Sequence, residues 1–297
     1  MSSRFVCSSA STERDEPMFA TGSSVRGWVL VEVPGAWGED AIHASAFGEF
    51  APQRWKDELK GRHIRVVCIR SHQRVGATDV RVYACAPRRP GQRPARLWRR
   101  EVASLADVVP AVQELRVDQR PDPEWSRDDE QLLLVCTNGR HDQCCANLGR
   151  PLVRALRESR WANQVWECSH IGGDRFAPNL VVLPDSLYFG RVEPDQASRV
   201  LGALDDGRID LSRYRGRTCF SLAEQAVEHF VRRELAIDAI DEVVIESRVA
   251  DGSFVVQLRD RRVNVRVHRR MVSVDEPLTC KGRGDQLVPT FDLVSIT

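Results

Sequence analysis

The chain has 297 residues, 42% of them hydrophobic and 29% charged, with a net charge of +1. That length supports a well-buried core, as one large domain or two ordinary ones. The near-neutral balance excludes a bulk electrostatic case for nucleic acid or an anionic membrane as partner.

The basic residues are almost all Arg, with Lys only at 56, 60 and 281. This reads first as coding bias and only second as selection for bidentate anion contacts. Residues 1–22 are polar and lack the apolar core of about 7–15 residues that a secretory signal carries. No apolar run approaches the roughly 18–20 residues of a membrane span. The expected location is therefore cytoplasmic. Disulfides are rare there, so nine cysteines, an odd number, imply metal binding, redox chemistry or small buried hydrophobes.

In chain order, 1–22 reads as a flexible segment in which Cys7 is an exposed thiol, unless the tail folds back over the core. Strand-like runs follow at 28–33, 63–70 and 79–85, with helices expected over 39–47 and 51–60. Cys68 and Cys85 sit inside strand-like runs and read as buried hydrophobes. The Pro/Arg-rich stretch 87–100 reads as a linker or long basic loop, and a short helix is expected over 104–111. The polar break at 118–129 marks the main boundary. Next come a strand (131–136), a helix (144–159, starting late if Pro151 lies in its first turn), a strand (164–168) and a hairpin (179–183 with 187–192). A helix over 193–205 completes a β-α-β-β-β-α unit compatible with a thioredoxin-like fold. A helix over 221–235, three strand runs between 242 and 268, and a polar tail carrying Cys280 close the chain.

The fold class is therefore α/β (α+β). The divisions are 1–22, an N-terminal α/β half over 23–125, a core over 126–207, and a C-terminal helix with a β-meander over 208–297. The strand, Pro-Gly turn and helix at 28–42 echo 132–148, so the first half reads as a degenerate copy without the cysteines.

Chemistry concentrates between Cys136 and Asp174, which hold four of the nine Cys and two of the seven His. Cys136 and Cys145 flank an eight-residue loop, with Cys144 adjacent. Thiolates are soft ligands for zinc, copper(I) or iron–sulfur clusters. Arg140, His141 and the N–H groups opening the next helix would stabilise thiolates there. Cys168 and His170 share one face of a strand. Gly172 and Gly173 allow close backbone approach. Arg175 and Arg191 are placed to bind an anion or a partner. Paired CxxC knuckles and a CxxC redox motif are both absent. His43, His63, His72, His229 and His268 lack ligand spacing, and Cys219 reads as a buried thiol.

The C-x8-C loop together with WECSHIGGDRFAPNLVVLPDSLYFGRV resembles the sucrase/ferredoxin-like family, relatives of the thioredoxin-like 2Fe–2S ferredoxins. The segment VLVEVPGAWGEDAI is similar to that family's N-terminal half. The resemblance implies a 2Fe–2S cluster on a thioredoxin-like domain, held by two Cys and, in characterised relatives, two His of an HxGGH loop. Here it implies Cys136, Cys145 and His170 as ligands. Asp174 stands where the second His would be, so the fourth ligand is Cys168, Asp174 or, third in order, Cys144.

The function implied is electron transfer with a redox partner protein, with no nucleic acid or membrane as partner. A small-molecule reductase using the cluster, or a structural zinc or thiol-redox protein, are the alternatives. Sucrose hydrolysis needs two carboxylates flanking a sugar site, and no such pair can be picked out. A His ligand raises a cluster's potential, and its outer nitrogen can titrate. With His170 as ligand through one nitrogen and the other exposed, voltammetry should give a potential that falls as pH rises between about pH 6 and 9. A flat profile would exclude an exposed imidazole ligand.

Overall fold

A computed structural model describes residues 5–91, 96–113, 115, 122–250 and 252–297. Residues 92–95 of the Pro/Arg-rich stretch and 118–121 of the polar break lie outside the described residues. The elements in order are α1 (Cys7–Glu13), β1 (Gly27–Glu32), α2 (Gln53–Gly61), β2 (Ile64–Arg70), β3 (Val80–Ala86), β4 (Arg96–Val102), α3 (Val108–Gln113) and β5 (Ser126–Asp128). Then come β6 (Leu132–Cys136), α4 (Gln143–Arg157), β7 (Val165–Cys168), β8 (Leu180–Leu183), β9 (Leu187–Phe189), α5 (Ala197–Asp205) and β10 (Tyr214–Arg217). The chain continues with α6 (Leu222–Glu234), β11 (Val244–Ala250), β12 (Ser253–Gln257), β13 (Arg262–Val274) and β14 (Gln286–Ile296).

Among the described residues, β1 to β10 form one sheet in the order β10-β9-β8-β6-β7-β2-β1-β3-β4-β5. The order is palindromic. In each half a parallel pair (β1 with β2, β6 with β7) is extended by antiparallel neighbours on one side. The halves join edge to edge where β2 meets β7 antiparallel, Ile69 opposite Cys168. The topology thus repeats although the sequence echo is faint, and the fold is mixed α/β as expected.

Strand alternation sorts the side chains. Leu133 and Val135 of β6 pack with Leu152 and Val153 of α4, and Val29 and Val31 of β1 pack with Trp55 and Leu59 of α2. The opposite faces share one interior that runs through both halves: Trp28, Leu30, Ile69, Tyr83, Leu132, Leu134, Cys136, Trp166, Cys168 and Tyr188. Neighbouring strands lie about 4.8 Å apart, so Trp28 and Tyr188, five strands apart in the sheet, would be far from each other on a flat surface. Their rings are 6.2 Å apart, and those of Tyr83 and Trp166 are 5.7 Å apart. The sheet therefore curls around this interior, and Cys136 and Cys168 lie within it.

Several expectations are corrected. Residues expected to be flexible carry α1, whose Cys7 is fully buried. The expected 39–47 helix is a series of turns ending in a short 3-10 helix, Ala46–Glu49. The Asp40 carboxylate accepts from the backbone N–H of Ile42, a local bond that competes with helix. The basic loop continues into β4, and Arg88, Arg99 and Arg100 each pair with carboxylates. Helix α4 starts at Gln143 and runs through Pro151, because Asp142 caps it by accepting from the Cys144 N–H at 2.9 Å. The tail contains β14, paired along β13 at the sheet edge, where Pro289 is tolerated.

Helix α6 packs on the β11–β14 sheet through Val227, Phe230 and Val231 against Phe254, Val256 and Val265. A fully buried ion network joins α6 to β10. Glu228 accepts from Arg217 at 2.9 Å and Arg232 at 3.0 Å, and from the Tyr214 hydroxyl at 2.8 Å. Burial works to raise the Glu228 carboxyl, but the two guanidiniums bring it below its ordinary value. Its contribution is therefore present above the ordinary Glu range and is lost as pH falls through the depressed folded-state value. Glu228→Gln should destabilise the fold by about 3–5 kcal/mol in urea unfolding at neutral pH, because two buried cations lose their counter-charge. The penalty should shrink toward pH 4. A cost below about 1 kcal/mol would show that the network is dispensable.

Candidate metal centre

The ordered donors lie where β6 hands over to α4. Cys136 is the last residue of β6, and Thr137 N–H donates to the Cys168 carbonyl, tying the loop to β7. Asn138 donates from Nδ2 to the Gly38 carbonyl, so the loop also rests on the first half of the sheet. Gly149 of α4 faces the Cys136 carbonyl so closely that an added Cβ would lie 2.2 Å from its oxygen. Only glycine permits that approach, and it brings the start of α4 up to the strand end.

Cys136, Cys145 and Cys168 are all buried and mutually arranged. The neighbouring Cys145 and Cys168 thiols pull the Cys136 thiol well below its ordinary range. Donation to Cys136, then burial, pushes Cys145 up; burial, then donation to Cys136, does the same to Cys168. Cys145 Sγ also lies 3.1 Å from Asp174 Oδ1.

Asp174, 2% exposed, links the thiols to two imidazoles. His170 Nδ1 is 3.0 Å from its Oδ1 and His141 Nε2 is 3.6 Å from its Oδ2. The two imidazole rings stack at 3.6 Å. Burial works to raise the Asp174 carboxyl, but His170, Cys145 and His141 bring it below its ordinary value. Although close to Asp174, His170 Nδ1 is buried and makes no aligned hydrogen bond. A buried ring nitrogen left without such a partner fits an atom whose lone pair has another use. The thiols and the imidazole suit an iron–sulfur cluster, and the carboxylate is the harder donor beside them.

The loop 170–173 is held by its carbonyls. His170 O accepts from Arg65 at 2.9 Å, Ile171 O from Tyr188 at 2.8 Å and Ser23 at 3.2 Å, Gly172 O from Arg215 at 3.1 Å, and Gly173 O from Asn179 at 2.8 Å. Gly172 and Gly173 have φ of 96° and 81°, a region that favours glycine. An added Cβ at Gly173 would lie 2.3 Å from Arg215 Nη2. Arg65, Tyr188, Arg215 and Ser23 were missed in the sequence: Tyr188 lies on β9, and the other three are more than 40 residues from the loop.

Other expected residues lie differently. The Cys144 side chain joins a separate group with Cys7 and Cys280, away from Cys136. Arg140 is exposed, and its carbonyl accepts from Lys281. Arg175 pairs with Glu16 at 2.7 Å and lies over the Phe176 ring. Arg191 donates to Ser11. Both arginines hold the N-terminal segment down. A groove of about 760 Å³ opens beside the two imidazoles, lined by His141 and His170, by Lys56, Lys60 and Arg65, and by Glu39 and Asp40.

Three kinds of likeness to known proteins accompany this geometry. Altered inheritance of mitochondria protein 32 from Eremothecium gossypii is 31% identical over 106 residues, covering 31% of this chain and 34% of that protein. The Candida glabrata protein of the same name is 28% identical over 102 residues, 30% of this chain and 33% of that one. The chain thus spans about a third of the length of the curated relatives it matches. Among solved structures, a thioredoxin-like [2Fe-2S] ferredoxin from Aquifex aeolicus aligns with a TM-score of 0.28 and 18% identity, over 32% of this chain and 97% of that one. No helix among the described residues is long and apolar enough to cross a membrane. The sequence profile of the sucrase/ferredoxin-like family matches residues 18–216, so the chain belongs to the sucrase/ferredoxin-like family.

Proposed function

We propose that this chain carries one 2Fe–2S cluster and transfers electrons to or from a partner protein. The observation that carries the reading is the convergence of Cys136 and Cys145 with His170 and Asp174, donors from a strand end, a helix start and a Gly-Gly loop. Cys136 and Cys145 are the thiolate ligands and His170 is the imidazole ligand. We take Asp174 as the fourth, since its carboxylate lies against both Cys145 and His170. Cys168 ranks ahead of it on softness alone and shares the buried cluster of Cys136 and Cys145, but Asp174 is the group in contact with both Cys145 and His170. Such a cluster supplies one-electron chemistry at a potential set by its ligands and hydrogen bonds.

The protein's own groups would tune that site. The buried thiols exclude water on the interior side. Arg65 and Arg215 place positive charge behind the His170 loop, which favours an added electron by Coulomb attraction. The His141 and His170 side chains are 28% and 27% exposed, so the imidazole edge is the side a partner reaches. The groove beside that edge, lined by Lys56, Lys60 and Arg65 and also by Glu39 and Asp40, is the surface a partner meets there.

Anaerobically purified protein should be reddish-brown with about two irons per chain and, once reduced, give a 2Fe–2S electron paramagnetic resonance signal. Cys136→Ser and Cys145→Ser should lose most of the iron. His170→Ala and Asp174→Ala should lose or change the signal, and Cys168→Ser should leave it in place. An iron-free, colourless wild type would end the reading. Loss of the signal in Cys168→Ser with retention in Asp174→Ala would instead assign Cys168.

Gly173→Ala tests the loop separately. The strained φ and the clash with Arg215 should lower stability by more than about 1 kcal/mol and reduce iron retention. A variant as stable as wild type would show that the loop needs no glycine there.

A further inference from the structure

The group that takes in Cys144 is a second concentration of ligands, separate from Cys136, Cys145 and His170. Cys7, Cys144 and Cys280 form a near-equilateral triangle of sulfurs, with Sγ–Sγ distances of 3.6 Å (Cys7 to Cys144), 3.4 Å (Cys144 to Cys280) and 3.5 Å (Cys280 to Cys7). The Asp142 carboxylate oxygens lie 3.7 and 3.8 Å from Cys7 Sγ. All four donor atoms lie within 4.8 Å of one another. Zinc–sulfur bonds of about 2.3 Å in a regular tetrahedron put sulfurs about 3.8 Å apart. The observed triangle is within a few tenths of an ångström of that edge.

The surroundings fit a metal better than three neutral thiols. Cys7 and Asp142 are fully buried, and Cys144 is 1% exposed. No basic side chain among the described residues pairs with Asp142, and an unpaired buried carboxylate is costly. Its Oδ1 accepts from Cys144 N–H and its Oδ2 from Cys280 N–H. The sulfurs also receive donors: Ser8 Oγ to Cys144 at 3.3 Å, Cys7 N–H to Cys280 at 3.4 Å and Gln143 Nε2 to Cys280 at 3.5 Å. Hydrogen bonds of this kind orient and stabilise metal-bound thiolates. None of the sulfur pairs is close to the roughly 2.05 Å of a disulfide, and three thiols cannot pair completely.

We propose that Cys7, Cys144, Cys280 and Asp142 bind a structural zinc ion, with release of the thiol protons on binding. The four ligands leave no open position, as in a structural site. The ion fastens α1 and the segment before β14 onto the first turn of α4. Those three places are far apart in sequence, so closing them with one ion restricts the unfolded chain strongly. The neighbouring residue, Cys145, belongs to the other centre. Two adjacent cysteines thus serve two metals, and the zinc site holds the helix start from which Cys145 projects. This site stands whether or not the 2Fe–2S reading holds.

The test is metal analysis of the full chain purified anaerobically without chelator, with zinc and iron counted separately. The expected result is about one zinc per chain. Cys280→Ala should drop it at least tenfold. Cys280→His, which restores a ligand, should keep it. Should Cys280→Ala fail to fold, cobalt exchanged into wild type should show the absorption of tetrahedral thiolate-bound cobalt. A wild type that takes up neither zinc nor cobalt overturns the proposal, as do zinc retained in full by Cys280→Ala and a disulfide among the three cysteines found by peptide mass mapping.

Discussion

Arg215 is a fully buried guanidinium with no carboxylate partner among the described residues. Burial lowers it to about 10, still charged at neutral pH. Such a group is tolerated only where its donors find partners. Arg215 uses four of its five N–H donors, on Thr21 Oγ1 and O, Gly172 O and Asn179 Oδ1, and its plane lies over Phe176 and Tyr188. It thereby ties four separated segments to one point. The His170 loop can lie there only because Gly173 has no Cβ. The placement of His170 and Asp174 beside Cys145 follows from this arrangement.

The palindromic sheet explains why the donors gathered at Cys136, Cys145 and His170 need both halves. At the end of β6 the chain presents Cys136, and the corresponding end of β1 runs into Val33 and a Pro-Gly turn with no donor. The first half nevertheless contributes to the site. Its β2 supplies Arg65 to the His170 carbonyl, and its turn at Gly38 receives Asn138. Edge pairing of β2 with β7 also closes the interior that keeps Cys136 and Cys168 dry. A single half would leave that interior face open to water.

Legibility in the sequence followed range. The strand β6, the hairpin β8–β9 and helix α6 were readable because their signals are local. The 39–47 helix failed because the Asp40 carboxylate redirects the backbone. Strand β14 was missed because Pro289 and the polar approach to it resemble a tail, and only its place at a sheet edge makes proline acceptable. The N-terminal segment looked flexible because its apolar residues are few. It is held instead by Arg175, Arg191 and Cys144, partners more than 130 residues away.

The sequence by itself marked the soft-ligand loop between Cys136 and Cys145 and the close backbone approach at Gly172-Gly173, whereas the parallel register of β6 with β7 set Cys136 opposite Cys168. Neighbours on a helix differ by about 100°, so Cys144 and Cys145 had to diverge. The tertiary structure decided which of them met Cys136 and which met Cys7 and Cys280. It also decided that Asp174 lies between thiol and imidazole, and that Arg65 and Arg215 stand behind the loop. Those outcomes depend on contacts between residues distant in the chain, and such contacts leave no periodicity or spacing in the sequence to read.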